Sequence, residues 1–306
     1  MKPTAFLFPG QGSQSVGMGK ELFENFSVAR RVFEEANDAL CFSIQKVCFE
    51  GPGETLKLTE NTQPAILTTS IAALRVLQSE KGVVPQFAAG HSLGEYSALV
   101  ASEALAFSDA VRIVRLRGRF MQEAVPVGEG GMAAVLGMEP GEVETLCEEV
   151  AEGEVLTPAN YNCPGQIVIS GHLKAVERAV DSVNRKGKRA MLLPVSAPFH
   201  SPLMKGAGER LEKELEGVSV KDLRIPVVTN VEAEINDSKE RVKSLLIAQV
   251  SNPVRWETSM KRMASEGVTR VIEIGPGKVL SGLMRRIDSS IATGNVEDLS
   301  SLRKLS

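Results

Sequence analysis

The sequence predicts an α/β protein in which a mostly parallel sheet carries a smaller inserted unit. Short apolar segments that are typical of buried strands, among them residues 4–8 and 87–89, alternate with helix-forming stretches near both ends of the chain. Between residues 128 and 197 the alternation becomes faster, which indicates a separate small unit. The chain has 306 residues, of which 43% are hydrophobic, and this is enough to bury a sizeable core.

The composition argues against several classes of function. The formal net charge of −3 offers no basic footprint for a nucleic acid. No apolar stretch approaches the roughly 20 residues of a membrane span, and the N-terminal residues lack the apolar core of a signal peptide. The four cysteines form no CxxC pair, so neither a zinc site nor a disulfide framework is predicted. We therefore expect a cytoplasmic protein without a metal ion.

A glycine-rich loop at residues 9–14 follows the first strand. It lacks the G-K-[ST] ending of a phosphate-binding P-loop, and its glycines do not fit G-x-G-x-x-G, so a nucleotide site is disfavoured. The loop still follows the carboxyl end of a strand, which borders the usual ligand crevice of an open α/β sheet.

Helices are predicted near residues 18–25, 27–41 and 60–80.

The stretch GHSLG, residues 90–94, lies between the strand at 87–89 and a run of helix formers to about residue 106. A strand, a sharp turn and a helix are the context in which G-x-S-x-G presents a nucleophilic serine, here Ser92, on a hydrolase-like core. The N-terminus of the helix would offer the Leu93 N–H to an oxyanion. The alternative is an ordinary glycine-rich turn, because G-x-S-x-G alone often occurs by chance.

The helix predicted over residues 108–123, with Ser108 and Asp109 as its N-terminal cap, contains an unusual arginine. At 100° per residue Arg117 falls in the middle of the apolar face. A guanidinium there cannot lose its proton, so it needs a carboxylate or several acceptors nearby. Periodicity leaves two possibilities open, an internal ion pair and the carboxylate of a ligand.

The inserted unit is predicted to fold as a ferredoxin-like subdomain. Its segments follow the order strand, helix, strand, strand, helix, strand, at residues 132–137, 142–151, 155–160, 166–170, 173–186 and 190–195. A glycine-rich entry at 128–131 and an exit at 196–198 delimit it. The predicted domains are therefore a core at 1–127 and 198–306 and a subdomain at 128–197. The basic cluster at 185–189 is either a solvated helix end or a contact for an acidic partner.

Of the three histidines, His200 is the candidate general base for Ser92. The side chain of His91 should diverge from Ser92 at a tight turn, which suggests a structural role. His172 is expected at a surface or capping position. His200 lies in a proline-bounded loop that re-enters the main body.

The last third predicts further α/β elements, with strands at 225–230 and 268–274. Helices are expected at 239–250, 256–265 and 279–287, and the polar tail after Asp288 is expected to be loose or weakly docked.

Taken together, these blocks resemble the malonyl-CoA:acyl carrier protein transacylases of fatty acid synthesis over essentially the whole chain. The matching stretches, in order, are FPGQGSQ at 8–14, GHSLGE at 90–95, RGR at 117–119, NYNCPGQ at 160–166, HSPLM at 200–204, Gln249 with NPV at 252–254, and EIGPG at 273–277.

The resemblance implies a role for each matching residue. Ser92 would be acylated, with His200 as general base and then general acid. The carbonyl of Gln249 would orient that histidine, and the N–H groups of Gln11 and Leu93 would form the oxyanion hole.

Recognition of the acyl group is implied in the same way. Arg117 would bind the free carboxylate of malonyl, which accounts for its place on the apolar face. In related extender-unit acyltransferases phenylalanine before the histidine accompanies malonyl and serine accompanies methylmalonyl, so Phe199 predicts malonyl. Asn160 and Gln166 are candidate substrate-binding residues, and they either line the pocket or only brace it.

The predicted function is ping-pong transfer of malonyl from malonyl-CoA to the phosphopantetheine thiol of holo acyl carrier protein. Neither a metal nor a cofactor is expected, and a monomer is expected. The main alternative is a serine hydrolase, which needs a triad acid and a lid. A non-catalytic carrier-binding module is a third interpretation. A trans-acting acyltransferase of a polyketide pathway would differ from the first only in its carrier partner.

Overall fold

The structure is a computed structural model that describes residues 3–195 and 197–305. Ser196 of the predicted exit, and the chain ends at 1–2 and 306 of the predicted core, lie outside the described residues.

Strands and helices alternate along the described chain. The strands are β1 Thr4–Phe8, β2 Phe87–Gly90, β3 Gly130–Leu136, β4 Leu156–Cys163, β5 Gln166–His172, β6 Arg189–Leu192, β7 Val227–Val228, β8 Ile235–Asn236, β9 Arg270–Ile274 and β10 Ala292–Val296. The first seven helices are α1 Lys20–Asn25, α2 Ser27–Leu40, α3 Ile44–Glu50, α4 Gly53–Lys57, α5 Thr59–Lys81, α6 Gly94–Ala101 and α7 Phe107–Glu123. The others are α8 Pro140–Val150, α9 Leu173–Arg185, α10 Lys205–Glu216, α11 Lys239–Ser251, α12 Trp256–Ser265, α13 Val279–Ile287 and α14 Leu299–Lys304, with a 3-10 turn at Pro202–Met204.

The larger sheet has six strands in the order β10-β9-β1-β2-β7-β8. All neighbouring pairs are parallel except β7 with β8, which confirms the prediction of a mostly parallel sheet. The central strand β1 is buried along its whole length, as an apolar strand covered on both faces should be. Its carboxyl end and that of β2 lie side by side, which brings the loop at 9–14 next to the turn that contains Ser92.

The smaller sheet has four strands in the order β4-β5-β3-β6, and every neighbouring pair is antiparallel. Its elements β3, α8, β4, β5, α9 and β6 follow the predicted order along the chain. The apolar faces of α8 and α9 close a core against this sheet that is separate from the cores on the two faces of the larger one. A bridge from Asn160 to Val254 connects the two parts of the molecule.

The prediction for the tail was wrong. Residues 292–296 pair in parallel with β9 as an edge strand, and α14 follows with Leu302 and Leu305 buried. Asp298 caps this helix by accepting the Ser301 N–H at 2.7 Å. The edge strand β10 is mostly only partly buried, which allows polar residues there, so polarity alone did not indicate a loose segment.

Other element boundaries also differ from the predictions. Helix α6 ends at Ala101 instead of near residue 106, and α7 begins at Phe107 with no side-chain cap, so Ser108 and Asp109 lie inside the first turn. The sequence reasoning also missed α3, α4 and α10. Within the described residues all four cysteines are free thiols, and no helix is long and apolar enough to cross a membrane.

Candidate active site

Ser92 lies at the apex of a turn that requires a glycine two residues before it and another two residues after it. Its φ of 51° is in the left-handed region, which is strained for a residue with a side chain. A Cβ on Gly90 would lie 1.8 Å from the carbonyl carbon of Gly94, and one on Gly94 would lie 2.1 Å from the carbonyl oxygen of Phe8. The two glycines of the motif are therefore required by close backbone approach, and the turn lifts the serine side chain off the end of β2.

Asn230, two residues after the end of β7, stabilises this strained turn through its side chain. Its Oδ1 accepts the Ser92 N–H at 2.7 Å, and its Nδ2 donates to the carbonyl of Gly90 at 2.7 Å. One side chain thereby satisfies a donor and an acceptor of the turn that the strained backbone leaves unpaired. Sequence reasoning placed Asn230 at the end of a strand and assigned it no role.

His200 lies within hydrogen-bond reach of the serine. The distance from Ser92 Oγ to His200 Nε2 is 2.7 Å, and that from His200 Nδ1 to the main-chain carbonyl of Gln249 is 2.9 Å. Because a carbonyl can only accept, Nδ1 carries the proton and Nε2 is free to accept from the serine hydroxyl. The histidine itself has a strained φ of 58°, so both members of the pair are held in unusual backbone conformations.

The pKa of His200 is lowered to about 3, first by burial and then by the positive charge of Arg117. The bond to the Gln249 carbonyl acts in the opposite direction but does not offset them. The ring is therefore neutral near pH 7, which is the state a general base requires before proton transfer.

Arg117 is 1% exposed and points at the nucleophile. Its Nη1 donates to Gln63 Oε1 at 2.8 Å, and its Nη2 donates to Gln249 Oε1 at 2.8 Å and to Ser92 Oγ at 3.1 Å. These acceptors are all neutral, and in the described part of the chain Arg117 makes no ion pair. The charge is solvated by amides but lacks a contacting carboxylate, so an internal ion pair does not explain its burial.

A cavity of about 120 Å³ opens in front of the serine, between the two sheets. Seven of the residues singled out in the sequence line it, namely Gln11, Ser92, Leu93, Arg117, Asn160, Phe199 and His200. The remaining lining comes from Gln63, His91, Met121, Met132, Leu193 and Val195, with Met132 and Asn160 supplied by the small sheet. The cavity is small and carries a buried cation, which fits a short acyl group with a terminal negative charge.

Two backbone donors border the same cavity. Across residues 3–195 and 197–305 no protein acceptor takes the N–H of Gln11 or of Leu93. Leu93 directly precedes α6, so its N–H lies at the positive end of that helix. The two donors belong to the loop after β1 and the turn after β2, whose strands are paired in register.

Gln166 does not reach the cavity. It begins β5 and pairs with Cys163 across the hairpin turn at 164–165, where its Oε1 accepts from Arg286 Nη1 at 2.6 Å. The register of this hairpin puts Gln166 at the tip, whereas Asn160 lies further along β4 beside the cavity. The expectation that Gln166 lines the pocket is therefore incorrect, and Gln166 instead joins the small sheet to α13.

The other two histidines, His91 and His172, make structural contacts and do not contact the nucleophile. His91 Nε2 and Asn162 Oδ1 are 2.9 Å apart, and the His91 ring lies 5.4 Å from that of Trp256. The Nδ1 of His172 accepts the N–H of Val155 at 2.9 Å. Neither ring approaches Ser92 Oγ as His200 does. The described residues contain no group of three or more His, Cys, Asp or Glu side chains placed to hold a metal ion.

Sequence reasoning missed Gln63 and Glu95 as well as Asn230. Gln63 lies on α5 in a run of buried polar residues at 61–63. Because buried polar side chains need hydrogen-bond partners, such a run is a signal that could have drawn attention to it. Glu95 is part of the GHSLGE block but received no role. It is completely enclosed, and burial raises its pKa to about 7 against the opposing effects of Gln249, Asn230 and Arg117.

The chain is similar to known acyl transferases. A family model described as "Acyl transferase domain" matches residues 5–302. The chain is 52% identical over 300 residues to the malonyl CoA-acyl carrier protein transacylase of Bacillus subtilis, covering 97% of this chain and 94% of that protein. It is 45% identical over 303 residues to the protein of that name from Escherichia coli K12, covering 99% and 98%.

Solved structures match equally well. An acyl carrier protein S-malonyltransferase from Vibrio cholerae superposes with a TM-score of 0.96 at 43% identity, covering 99% of both chains. A malonyl-transacylase solved in complex with its type II PKS acyl-carrier protein gives a TM-score of 0.96 at 44% identity, covering 99% of this chain and 98% of the other.

Proposed function

The chain belongs to the acyl transferase domain family and, within it, to the malonyl CoA-acyl carrier protein transacylases; on this premise we propose that it transfers malonyl from malonyl-CoA to the phosphopantetheine thiol of acyl carrier protein. The observation that carries the proposal is Arg117, a buried guanidinium without a contacting carboxylate whose Nη2 lies 3.1 Å from Ser92 Oγ. A substrate with a free carboxylate one carbon from its thioester would supply the missing charge.

The first half-reaction uses the pair Ser92 and His200. The Nε2 of His200 accepts the hydroxyl proton as Ser92 Oγ attacks the thioester carbonyl, and the oxyanion receives the N–H groups of Gln11 and Leu93. Collapse breaks the carbon–sulfur bond, and the departing thiolate of coenzyme A takes the proton from Nε2. The product is a malonyl ester on Ser92.

The second half-reaction reverses these steps with a different thiol. The phosphopantetheine thiol of the carrier protein gives its proton to His200 Nε2 and attacks the ester carbonyl of malonyl-Ser92. When the intermediate collapses, Ser92 Oγ leaves and recovers the proton. No net change occurs in the enzyme, so the reaction is an exchange between two thioesters of similar energy.

The carbonyl of Gln249 suits such an exchange. In a hydrolase triad a carboxylate stabilises the imidazolium that forms in each half-reaction. Here His200 Nδ1 faces a neutral carbonyl at 2.9 Å, and within the described residues no carboxylate contacts the ring. The imidazolium is therefore less stabilised, which favours return of the proton to whichever thiolate or alkoxide is leaving.

Specificity would come from Arg117 and Phe199. The guanidinium selects acyl groups with a terminal carboxylate, and the ring of Phe199, which lines the cavity, restricts space for a branch at the acyl α-carbon. Exclusion of one methyl group by packing is worth only about 1–3 kcal/mol, so methylmalonyl is a poor substrate and not an inert one.

The proposal extends to the setting of the enzyme. We place it in the cytoplasm as a monomer that needs neither a metal nor a cofactor. Residues 1–127 with 198–306 would form a hydrolase-like core, and 128–197 a ferredoxin-like subdomain. The acidic carrier would meet the basic cluster at 185–189, in which Lys186 lies 3.9 Å from Glu149. Reversing two charges there should raise the KM for the carrier and leave that for malonyl-CoA unchanged.

One observation favours a second setting for the same chemistry. A matching structure is a malonyl-transacylase bound to the acyl-carrier protein of a type II PKS. The carrier of this chain could therefore belong to a polyketide pathway, and a comparison of the two holo carriers as acceptors would decide it. The serine hydrolase interpretation is disfavoured, because His200 faces a main-chain carbonyl where a triad needs an acid.

Intact mass after brief exposure to malonyl-CoA tests the proposal, with acetyl-CoA and methylmalonyl-CoA in parallel. We expect one malonyl adduct, absent from Ser92→Ala, that holo acyl carrier protein discharges faster than water does. An adduct that water clears equally fast would indicate a hydrolase. If neither the wild-type protein nor Ser92→Ala forms an adduct, so that the substitution changes nothing measurable, the result would indicate a non-catalytic carrier-binding module.

A further inference from the structure

Glu95 is a buried carboxylate close to the nucleophile that the reaction steps do not use. It lies in the first turn of α6 and is 2% exposed. Its Oε2 accepts from the side-chain Nε2 of Gln249 at 2.7 Å and from the N–H of Asn230 at 3.1 Å. Removing a carboxylate from water costs free energy, which its hydrogen bonds must offset. A buried carboxylate beside an active site is therefore a candidate for a functional role.

The side-chain amide of Gln249 joins this carboxylate to the acyl site. Its Nε2, besides bonding Glu95, donates to the main-chain carbonyl of Ser92 at 3.0 Å. Its Oε1 accepts from Arg117 Nη2 at 2.8 Å. The Nε2 end therefore faces two acceptors, the Glu95 carboxylate and the Ser92 carbonyl, and the Oε1 end faces a donor, the guanidinium. The amide is thereby held in a single orientation.

We propose that Glu95 is a positioning residue for malonyl recognition: its carboxylate fixes the Gln249 amide, and the amide fixes Arg117 where the acyl carboxylate binds. The inference rests on the proposed function and deepens it. Without Glu95 the Gln249 Nε2 keeps only the Ser92 carbonyl as an acceptor, so the amide is held less firmly. A turned-over amide would present its Nε2 to the guanidinium, donor against donor. The guanidinium would then lose its place beside Ser92 Oγ.

An indirect arrangement has an advantage over a direct ion pair. If Glu95 contacted Arg117 itself, it would occupy the N–H groups that a malonyl carboxylate needs and would cancel the charge that attracts it. With the neutral amide between them, Glu95 supplies a negative charge in the same buried region while the guanidinium keeps its donors for the substrate. Exchange of a neutral acceptor for a substrate carboxylate then strengthens the contacts of Arg117.

Glu95 also supports the strained turn through Asn230. The same carboxylate oxygen that holds Gln249 accepts the Asn230 N–H, and the Asn230 side chain bonds both Ser92 N and the Gly90 carbonyl. A purely structural carboxylate would act only by this route and would affect all acyl groups alike. The two roles are separated by comparing a charged with an uncharged acyl donor.

The test measures single-turnover acylation of the protein by intact mass, with malonyl-CoA and with acetyl-CoA, at pH 8, above the pKa of about 7 of Glu95. Glu95→Gln keeps an acceptor oxygen for Gln249 but loses the charge, and we expect it to lower the malonyl-to-acetyl rate ratio about three-fold or more. Glu95→Met loses both features and should lower the ratio at least about ten-fold. In a Gln249→Met background, which retains the main-chain carbonyl, Glu95→Gln should cause no further change in the ratio.

The matched control is Ser97→Ala, buried on the same helix, whose hydroxyl has no hydrogen-bond partner among the described residues. It should leave the ratio unchanged. A ratio within two-fold of wild type in Glu95→Gln, or equal loss of both rates in Glu95→Met, overturns the inference. If Glu95→Met does not fold, the Glu95→Gln ratio alone decides. Failure of the proposed function is distinct, because the unmodified protein would then form no malonyl adduct.

Discussion

Replacing Arg117 with alanine should convert a malonyl-selective enzyme into one that prefers neutral acyl groups. The guanidinium lies between Gln63 and Gln249 with an Nη2 donor directed at Ser92 Oγ, so a bound malonyl carboxylate would receive two charge-assisted hydrogen bonds. Each such bond contributes about 1.5–3 kcal/mol. Loss of both bonds, about 3–6 kcal/mol, corresponds to a fall of about 10²–10⁴ in kcat/KM for malonyl-CoA.

The same change should not harm transfer of an acetyl group. Ser92, His200 and the two backbone donors keep their positions, and the space left by the side chain adjoins the acyl end of the cavity. Removal of the cation also takes away a cause of the lowered pKa of His200, which strengthens the base. We therefore expect kcat/KM for acetyl-CoA to hold or rise.

The assay is acyl transfer to holo acyl carrier protein with each donor under kcat/KM conditions. Arg117→Met keeps more of the side-chain volume and separates loss of charge from creation of a cavity. Arg119→Ala is the matched control, because Arg119 lies on the same helix with its side chain 42% exposed and paired to Glu60 at 3.2 Å. An equal fall in kcat/KM for malonyl-CoA and acetyl-CoA in Arg117→Ala, or the same change in preference in Arg119→Ala, would contradict a carboxylate-binding role for Arg117.

Further outcomes follow from the same site. Phe199→Ser should raise methylmalonyl relative to malonyl acylation by about ten-fold or more in competition by intact mass; an unchanged ratio would remove Phe199 as a specificity residue. Because the pKa of His200 is lowered to about 3, the rate of acylation by acetyl-CoA, which does not depend on the charge of Glu95, should stay level from pH 8 down to pH 5, and a fall centred on pH 6.5 would contradict this. Burial raises the pKa of Glu95 from 4.5 to about 7, so ionisation of this group costs more in the folded than in the unfolded protein, and the wild type loses stability as pH rises. Glu95→Gln lacks this loss, so the difference in unfolding free energy between the variant and the wild type, measured in urea, should grow in favour of the variant by up to about 3 kcal/mol from pH 5 to pH 8. Gln166→Ala should leave the KM for malonyl-CoA within about two-fold, since its side chain bonds Arg286 outside the cavity.

Features that depend on short-range rules could be predicted from the amino-acid sequence. The turn at Ser92 could be predicted because strand, glycine, serine, glycine and helix follow one another directly, and the structure needs both glycines for close backbone contacts. The position of Arg117 on the buried face follows from the 3.6-residue period of its helix. The order of elements in the small sheet could also be read, because each element carries its own pattern of apolar residues.

The contacts between distant side chains depend on the packing of the whole fold. Glu95 and Gln249 are 154 residues apart, and Asn230 lies 135 residues from Glu95, yet one carboxylate oxygen bonds both. No local pattern encodes such contacts, because they depend on how α11 and the end of β7 pack against the turn after β2. The same holds for Gln166, which the hairpin register moved out of the cavity, and for the tail, where pairing with β9 made an edge strand of a polar segment. Local periodicity fixes the face on which a residue lies, but its partner is fixed by the packing of distant elements.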